Sequence, residues 1–235
     1  MHRLSPDQER TPIRRRTLLM GGVAGAITCA VPPVAHAATA LVLPNAAASR
    51  RFSVQYKGIR IGTHTISYSS ATGETHVKTE INLEVKLAFI TAYAFSHRSE
   101  ETWRAGRLMS LSGDTVEHGE PLHVEGAATP HGFRIVSKAG PFTASAATLT
   151  SNSLWTPAML EQTTVVDAQR GGVIGVSAHK LAEEPIEVSG AQVEATRYTF
   201  ITPYYAGSVW YDKANMWVHG EFERDGSKVQ YQLET

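Results

Sequence analysis

Three side chains that exchange protons or form strong hydrogen bonds recur at alternate positions near the middle of the chain. His97, Ser99 and Glu101 lie between Phe95 and Trp103. A hydroxyl, an imidazole and a carboxylate are the groups of a nucleophile–base–orienter site, which needs contacts of about 2.6–3.2 Å. Side chains two apart on one strand are separated by about 6.6–7 Å, and those four apart by about 13 Å. The spacing therefore predicts a polar stripe and not a catalytic triad.

This polar stripe, defined as His97, Ser99 and Glu101, allows two arrangements. It forms either a buried network, paired by a cross-strand arginine or a backbone group, or the polar floor of a pocket. A β-bulge would instead turn it outward. For the pocket arrangement, the neighbouring aromatic residues Tyr93 and Trp103 join the stripe. The candidate ligand-binding residues are thus His97, Ser99, Glu101, Tyr93 and Trp103.

Two long β-strands must position the stripe. Before it, every second residue is apolar or a threonine, and polar residues lie between: the alternating set is Val77, Thr79, Ile81, Leu83, Val85, Leu87 and Phe89. A period of two is typical of a half-buried β-strand. After Ile90 and Thr91 the alternation resumes through the stripe. We therefore expect a pair of strands, with Ile81, Leu83, Val85 and Leu87 buried.

The chain from residue 51 onward predicts one β domain. Short alternating segments are separated by turn signals such as Lys57-Gly58, Ser189-Gly190 and Asp225-Gly226. One short helix is expected from Pro157 to Gln162, where Thr156 is the N-cap. Roughly ten to twelve antiparallel strands must curl or close to cover an apolar face. The predicted fold is mainly β: a single antiparallel curled sheet or half-open barrel with one short helix.

The first 37 residues have the pattern of a secretory signal peptide. The arginines 14–16 precede a weakly apolar run that ends near Val31, and Ala35-His36-Ala37 is a cleavage site of the A-x-A type. Paired arginines before such a run are typical of the twin-arginine route. We therefore expect a periplasmic protein, cleaved near Ala37, that meets the membrane only during export. Lipidation of Cys29 is the minor alternative, because Thr28 is unfavourable before a lipidated cysteine.

The composition of the remaining chain excludes several classes of function. The first 37 residues contain five of the 22 basic and two of the 22 acidic residues, which leaves 198 residues with a formal net charge of −3. Because both signs are interspersed, nucleic acid is not an expected partner. Since the only cysteine lies in the signal, the mature chain has no disulfide and no thiolate ligand. Residues 38–50 are alanine-rich and predict a flexible leader.

Other chemical motifs are weak. Six acidic or histidine side chains occur within fifteen residues, but their spacing matches no metal site and predicts a solvated turn: Glu117, His118, Glu120, His123, Glu125 and His131. The chain has no G-x-S-x-G motif, no glycine-rich phosphate loop and no paired zinc-type histidines. We expect no catalytic residue, metal or cofactor from these patterns.

Several segments together resemble a known family. FSVQYKGIRIGTHTI (52–66), YAFSHRSEETWRAGRL (93–108), SLWTPAML (153–160) and VWYDKANMWV (209–218) are similar to those of exported proteobacterial proteins of unknown function. The similarity covers essentially the whole mature chain. It implies a single periplasmic β domain whose architecture is similar to the half-barrels of lipoprotein carriers. The resemblance implies no catalytic residues.

The sequence favours a non-catalytic protein that binds an apolar or amphipathic ligand, such as a lipid, in a curled β-sheet. A periplasmic hydrolase that uses His97 and Glu101 with partners from other strands is one alternative. A structural envelope protein is the other, and a filled interior with a large exposed apolar patch would favour it. The volume of the concavity, and whether the stripe lines it, distinguishes these hypotheses.

Overall fold

The computed structural model describes residues 41, 43–44, 48–87, 90–224 and 226–234. They belong to one compact unit, Thr39–Thr235. The predicted signal peptide lies outside the described residues. Within the described residues no helix is long and apolar enough to cross a membrane.

The described part of the domain contains fifteen strands. In chain order they are β1 (Arg50–Tyr56), β2 (Ile59–Ala71), β3 (Glu74–Leu87), β4 (Ile90–Arg104), β5 (Arg107–Glu117), β6 (Glu120–Thr129), β7 (Gly132–Ser137), β8 (Phe142–Ala144), β9 (Thr164–Val166), β10 (Val173–Gly175), β11 (Ser177–Val188), β12 (Ala191–Ile201), β13 (Ala206–Asp212), β14 (Trp217–Arg224) and β15 (Ser227–Leu233). Their number is somewhat higher than the ten to twelve strands expected from the alternation of apolar and polar residues.

Thirteen of these strands form one antiparallel sheet that does not close. Its order is β11-β12-β13-β14-β15-β1-β2-β3-β4-β5-β6-β7-β8, so β11 and β8 are its two edges. Strand β1 joins the two halves, because it pairs with β15 on one side and with β2 on the other. This confirms the predicted mainly β fold, a curled sheet or half-open barrel.

One long connection, residues 145–176, runs from edge strand β8 to edge strand β11. We call it the crossover. It contains two 3-10 helices, Ser153–Trp155 and Pro157–Glu161, and the small antiparallel pair of β9 and β10. The predicted short helix is thus present as a 3-10 helix, with the Thr156 side chain accepting a bond from the Ala158 amide.

The crossover fills the interior of the curled sheet. Its apolar side chains share one core cluster with inward-facing residues from both halves of the sheet, among them Leu154, Trp155 and Met159 of the crossover against Trp103, Tyr211 and Trp217 of the sheet. The rings of Trp103 and Trp155 meet edge to face with centroids 5.9 Å apart. Burial of such aromatic surface is the main favourable contribution to this core.

The expected burial of strand β3 is only partly correct. Ile81 is buried as predicted, but Leu83 and Val85 are only half-buried, and the side chain of Leu87 lies outside the described ones. The reason is the register. Pairing of β2 with β3 ends at Gly62↔Leu83, and pairing of β4 with β5 ends at Phe95↔Glu117. The tip of the β3–β4 hairpin therefore extends past its neighbours and lacks their cover.

The leader before β1 contributes to packing. Leu41 and Leu43 are half-buried against the main core cluster. The backbone of Leu41 passes close to Gly106: a Cβ on residue 106 would lie 3.0 Å from the backbone nitrogen and oxygen of Leu41. The flexibility predicted for residues 38–50 remains a prediction, but these two side chains are in contact with the domain.

Candidate functional site

The polar stripe lies inside the domain. His97, Ser99 and Glu101 on β4 are 2%, 1% and 2% exposed, respectively. They face inward because alternate residues of a strand share one face, and Phe95 and Trp103 at the two ends of the stripe are buried with them. The predicted inward orientation is therefore correct, and no bulge interrupts β4 between Phe95 and Glu101.

One crossover residue, Asn152, pairs with two members of the stripe. Its Nδ2 lies 2.9 Å from His97 Nε2 and 2.7 Å from Ser99 Oγ. An amide NH₂ has two hydrogens, so it donates to both atoms. His97 Nδ1 then donates to Thr115 Oγ1 on the neighbouring strand β5, at 2.8 Å. This arrangement holds a neutral imidazole with its proton on Nδ1.

The third member, Glu101, is held by two donors. Thr150 Oγ1 of the crossover donates to its Oε1 at 2.6 Å, and Trp103 Nε1 donates to its Oε2 at 3.0 Å. The Asn152 amide N–H donates to Thr150 Oγ1 at 3.2 Å, which connects the two ends of the stripe through the crossover backbone. The stripe is thus a paired network, with crossover side chains where a cross-strand arginine or a backbone group was expected.

A glycine on β5 lets the crossover approach the sheet this closely. A Cβ at Gly113 would lie 2.7 Å from the carbonyl oxygen of Ala168. Nearer the start of the crossover, Tyr211 Oη of β13 donates to the carbonyl of Leu154 at 2.8 Å. Both sides of the curled sheet therefore fix the crossover, which seats Thr150 and Asn152 over the stripe.

Burial controls the ionisation of the stripe. Desolvation raises the pKa of the Glu101 carboxyl to about 7, although the bonds from Thr150 and Trp103 act in the opposite direction. Desolvation also lowers the pKa of His97 to about 4 and that of the neighbouring His64 to about 3. Both imidazoles are therefore neutral near pH 7, and Glu101 titrates there.

The polar pairing of this interior is incomplete. Among the described side chains, Tyr68 Oη, Trp155 Nε1 and His64 Nε2 are buried without a hydrogen-bond partner. Each such group costs about 1–3 kcal/mol of stability. The rings of Tyr68 and Trp155 meet edge to face at 5.9 Å, so aromatic packing offsets part of this cost.

The arrangement gives no geometric support to the hydrolase hypothesis. His97 and Glu101 have separate partners, and neither offers more than 2% of its surface to solvent. A general base must come within about 2.6–3.2 Å of the proton that it abstracts, or reach it through one water. A substrate would have to displace the crossover before it could touch either side chain.

The other predicted residues lie elsewhere. Tyr93 is half-buried near the tip of β4, where its ring meets the edge of His118 at 5.2 Å. Trp103 belongs to the core.

The acidic and histidine-rich segment is not brought together at one site. Glu117 pairs with Arg170 of the crossover at 2.6 Å, whereas His123 contacts Glu125 on the surface at 3.1 Å. The described residues contain no group of three His, Cys, Asp or Glu side chains placed to hold a metal.

A second candidate lies where the crossover meets edge strand β11. This seam cleft has a volume of about 410 Å³, within the range of ligand pockets, and is lined by Leu160, Glu161, Gln162, Thr163, Val176, Ser177, Ala178, Lys180 and Tyr198. Leu160, Val176 and Tyr198 are almost fully buried. Glu161 and Lys180 are exposed at its rim. The cleft therefore combines an apolar floor with a charged edge.

The partners Thr150 and Asn152 were not recognised as site residues from the sequence. They lie in a segment without periodicity, some fifty positions from the stripe. The signal that exists is compositional: five of the six residues 148–153 are polar, Leu149 being the exception, and they directly precede Leu154 and Trp155. Only the path of the crossover through the interior of the curled sheet brings them to β4.

Comparison with solved structures supports the fold. The crystal structure of a β-barrel-like protein of the domain of unknown function DUF1849 from Brucella abortus superimposes with a TM-score of 0.57 at 9% sequence identity. The match covers 80% of this chain and 95% of that chain. At this identity the similarity concerns the fold alone.

Sequence comparison identifies the family. No curated protein shows significant similarity to the chain. The model of the domain of unknown function DUF6134 matches residues 52–234, from the second residue of the predicted β domain almost to its end. The chain therefore belongs to the DUF6134 family.

Proposed function

We propose that this protein is exported to the periplasm and binds an amphipathic ligand, such as a single-chain lipid, in the seam cleft without chemical turnover. The observation that carries this proposal is the position of the crossover. It occupies the concave interior with core side chains, and the apolar-floored opening lies where it meets β11. The proposed ligand site is therefore at the edge of the sheet, and not at the polar stripe as predicted from the sequence.

The chemistry of the cleft supports an amphipathic ligand. Leu160, Val176 and Tyr198 offer an apolar floor, which favours the burial of an alkyl chain. Lys180 and Glu161 at the rim offer one charge of each sign to a polar head group. A neutral or zwitterionic head group matches such a rim better than a multiply charged one.

Export is supported by the domain boundary. The compact unit begins at Thr39, two residues beyond the cleavage site predicted after Ala37. Removal of the signal would therefore leave the β domain intact. The absence of cysteine from the mature chain means that folding requires no disulfide in either compartment.

The test is the ligand content of protein purified from the periplasm. Extracted amphiphiles are quantified by mass spectrometry for the parent and for Ala178→Trp, which fills the cleft from β11. Ala139→Trp in the exposed β7–β8 turn is the matched control. We expect a stoichiometric amphiphile in the parent and the control, and a loss of about tenfold or more in Ala178→Trp. A parent without amphiphile, or an unchanged content in Ala178→Trp, would contradict the proposal.

A further inference from the structure

A separate hollow lies on the opposite, outward face of strands β2 to β6. Its volume is about 560 Å³. The strand register places its lining side chains in two parallel rows across the strands. The first row is Ser67, Lys78, Glu100, Ser112 and Glu125, each paired with the next across adjacent strands.

The second row lies one outward-facing position along each strand and consists of Ser69, His76, Thr102 and Ser110. Neighbouring strands are about 4.8 Å apart, so the five strands span about 19 Å, and the rows are separated by about 7 Å. The small serines on β2 and β5, Ser67, Ser69, Ser110 and Ser112, leave space above the sheet. We call this elongated hollow the polar trough.

The trough is rich in hydrogen-bonding groups and nearly balanced in charge. Lys78 Nζ lies 3.8 Å from Glu100, and Ser112 Oγ donates to Glu125 at 3.0 Å. His123 Nε2 lies 3.1 Å from the same Glu125 carboxylate. Thr102 Oγ1 and His76 Nδ1 are 3.3 Å apart. The trough therefore combines several hydroxyl groups with two carboxylates, Glu100 and Glu125, that are already partly compensated.

These properties exclude several ligand classes. Tyr68, Val77 and Leu111 also border the trough, but their side chains are buried on the other face of the sheet. The trough therefore offers no apolar surface to the alkyl chain of a ligand. Glu100 and Glu125 repel polyanions, and Lys78 opposes polycations. A hydroxyl both donates and accepts a hydrogen bond, as do the hydroxyls of a sugar.

We propose that the polar trough binds a neutral oligosaccharide that lies across strands β2 to β6. Ring hydroxyls would donate to Glu100 and Glu125 and exchange hydrogen bonds with the serine and threonine hydroxyls of the two rows. This site is independent of the seam cleft, because the two share no residue.

The test uses isotope-labelled mature protein and three neutral tetrasaccharides: chitotetraose, cellotetraose and maltotetraose. Saturable chemical-shift changes for at least one of them, confined to backbone amides of the trough, are expected. Ser110→Lys, which places a long side chain in the trough, should weaken this binding by about tenfold or more. Ser96→Lys is the matched control, because Ser96 is on the outward face of β4 but outside the trough.

Thermal unfolding of both variants must match the parent, and since both positions are on the outward face we expect that it does. If Ser110→Lys unfolds early, Glu125→Gln replaces it, because it removes one acceptor without adding bulk. The proposal is overturned if none of the three tetrasaccharides binds at about 10 mM, or if the Ser110→Lys or Glu125→Gln variant binds as tightly as the Ser96→Lys control.

Discussion

Burial and hydrogen bonding have opposite effects on the ionisation of Glu101. Its carboxyl accepts two hydrogen bonds, which favour the charged form, yet desolvation is stronger and raises its pKa from 4.5 to about 7. In the unfolded chain the carboxyl loses its proton at a lower pH than in the folded protein. Ionised Glu101 therefore weakens the fold it belongs to.

The sign of this effect gives a pH-dependent prediction. A raised carboxyl pKa contributes stability that is complete below about pH 4.5 and is lost as the pH rises through about 7. The difference amounts to about 3 kcal/mol. We expect Glu101→Gln, which cannot ionise, to gain about this much relative to the parent between pH 4.5 and pH 8. Chemical denaturation of both proteins across that range measures the gain.

The two buried histidines change the stability of the parent in the opposite direction with pH. Because Glu101→Gln contains the same histidines, their effect cancels when the two proteins are compared. His97 and His64 have lowered pKa values of about 4 and 3, so their contribution is present above pH 6.5 and lost as the pH falls through those values. A stability difference between Glu101→Gln and the parent that stays constant with pH would show that Glu101 is not desolvated.

At this scale the sequence predicts which side chains face inward but not what they contact. The alternation from Phe95 to Trp103 gives the burial of His97, Ser99 and Glu101 correctly, because a period of two follows from strand geometry alone. Their partners Thr150 and Asn152 come from an aperiodic segment, and no local rule connects residues fifty positions apart.

The crossover is the element that decides how the interior is used. It inserts two 3-10 helices and the β9–β10 pair into the concave face of the sheet, where an open half-barrel would hold a ligand. Its fit depends on close backbone approach. The carbonyl oxygen of Ala168 in the crossover lies so close to Gly113 on β5 that no residue larger than glycine fits at position 113.

Substitution of this glycine tests the seating of the crossover. Gly113→Ala would place a methyl group 2.7 Å from a backbone oxygen, so we expect it to destabilise the protein by about 1–3 kcal/mol. Gly175→Ala in β10 is the matched control, because nothing lies within 4 Å of a Cβ there. Equilibrium unfolding in urea compares the two. Equal stabilities would mean that the crossover does not pack on β5 as described.

The ends of strands and helices show which features a sequence pattern predicts and which depend on the neighbouring strands. The alternation in β3 continues to Leu87, yet Leu83 and Val85 are only half-buried, since the pairing of β3 with β2 and of β4 with β5 stops before the hairpin tip. The pattern of one strand contains no information on where its neighbours stop pairing. Similarly, Thr156 and Pro157 predict a helix start, but its short length yields a 3-10 helix.

At the scale of the whole molecule, the proposed function requires export. Replacement of Arg14, Arg15 and Arg16 by lysine should leave the precursor in the cytoplasm, because the twin-arginine route depends on the arginine pair. Cell fractionation with detection of the mature N-terminus near Ala38 measures this. Mature protein in the periplasm of a strain without the twin-arginine machinery would contradict the route, whereas the parent strain serves as the positive control.

Both proposed ligand sites of the molecule border the core cluster, which the crossover shares with the two halves of the sheet. The seam cleft lies at edge strand β11, the polar trough lies on the outward face of β2 to β6, and the stripe lies beneath the crossover. We therefore place the proposed ligand in the seam cleft and not at the stripe, because the crossover covers the stripe.

Chemical-shift mapping of the mature protein with a short-chain lysophospholipid, below its critical micelle concentration, tests this claim most directly. We expect saturable shifts of the backbone amides of Leu160, Val176 and Tyr198, with those of His97 and Glu101 unchanged. Shifts centred on His97 and Glu101 would mean that the ligand displaces the crossover and binds in the interior, which would contradict binding in the seam cleft. No saturable shift at any of these residues would contradict it as well.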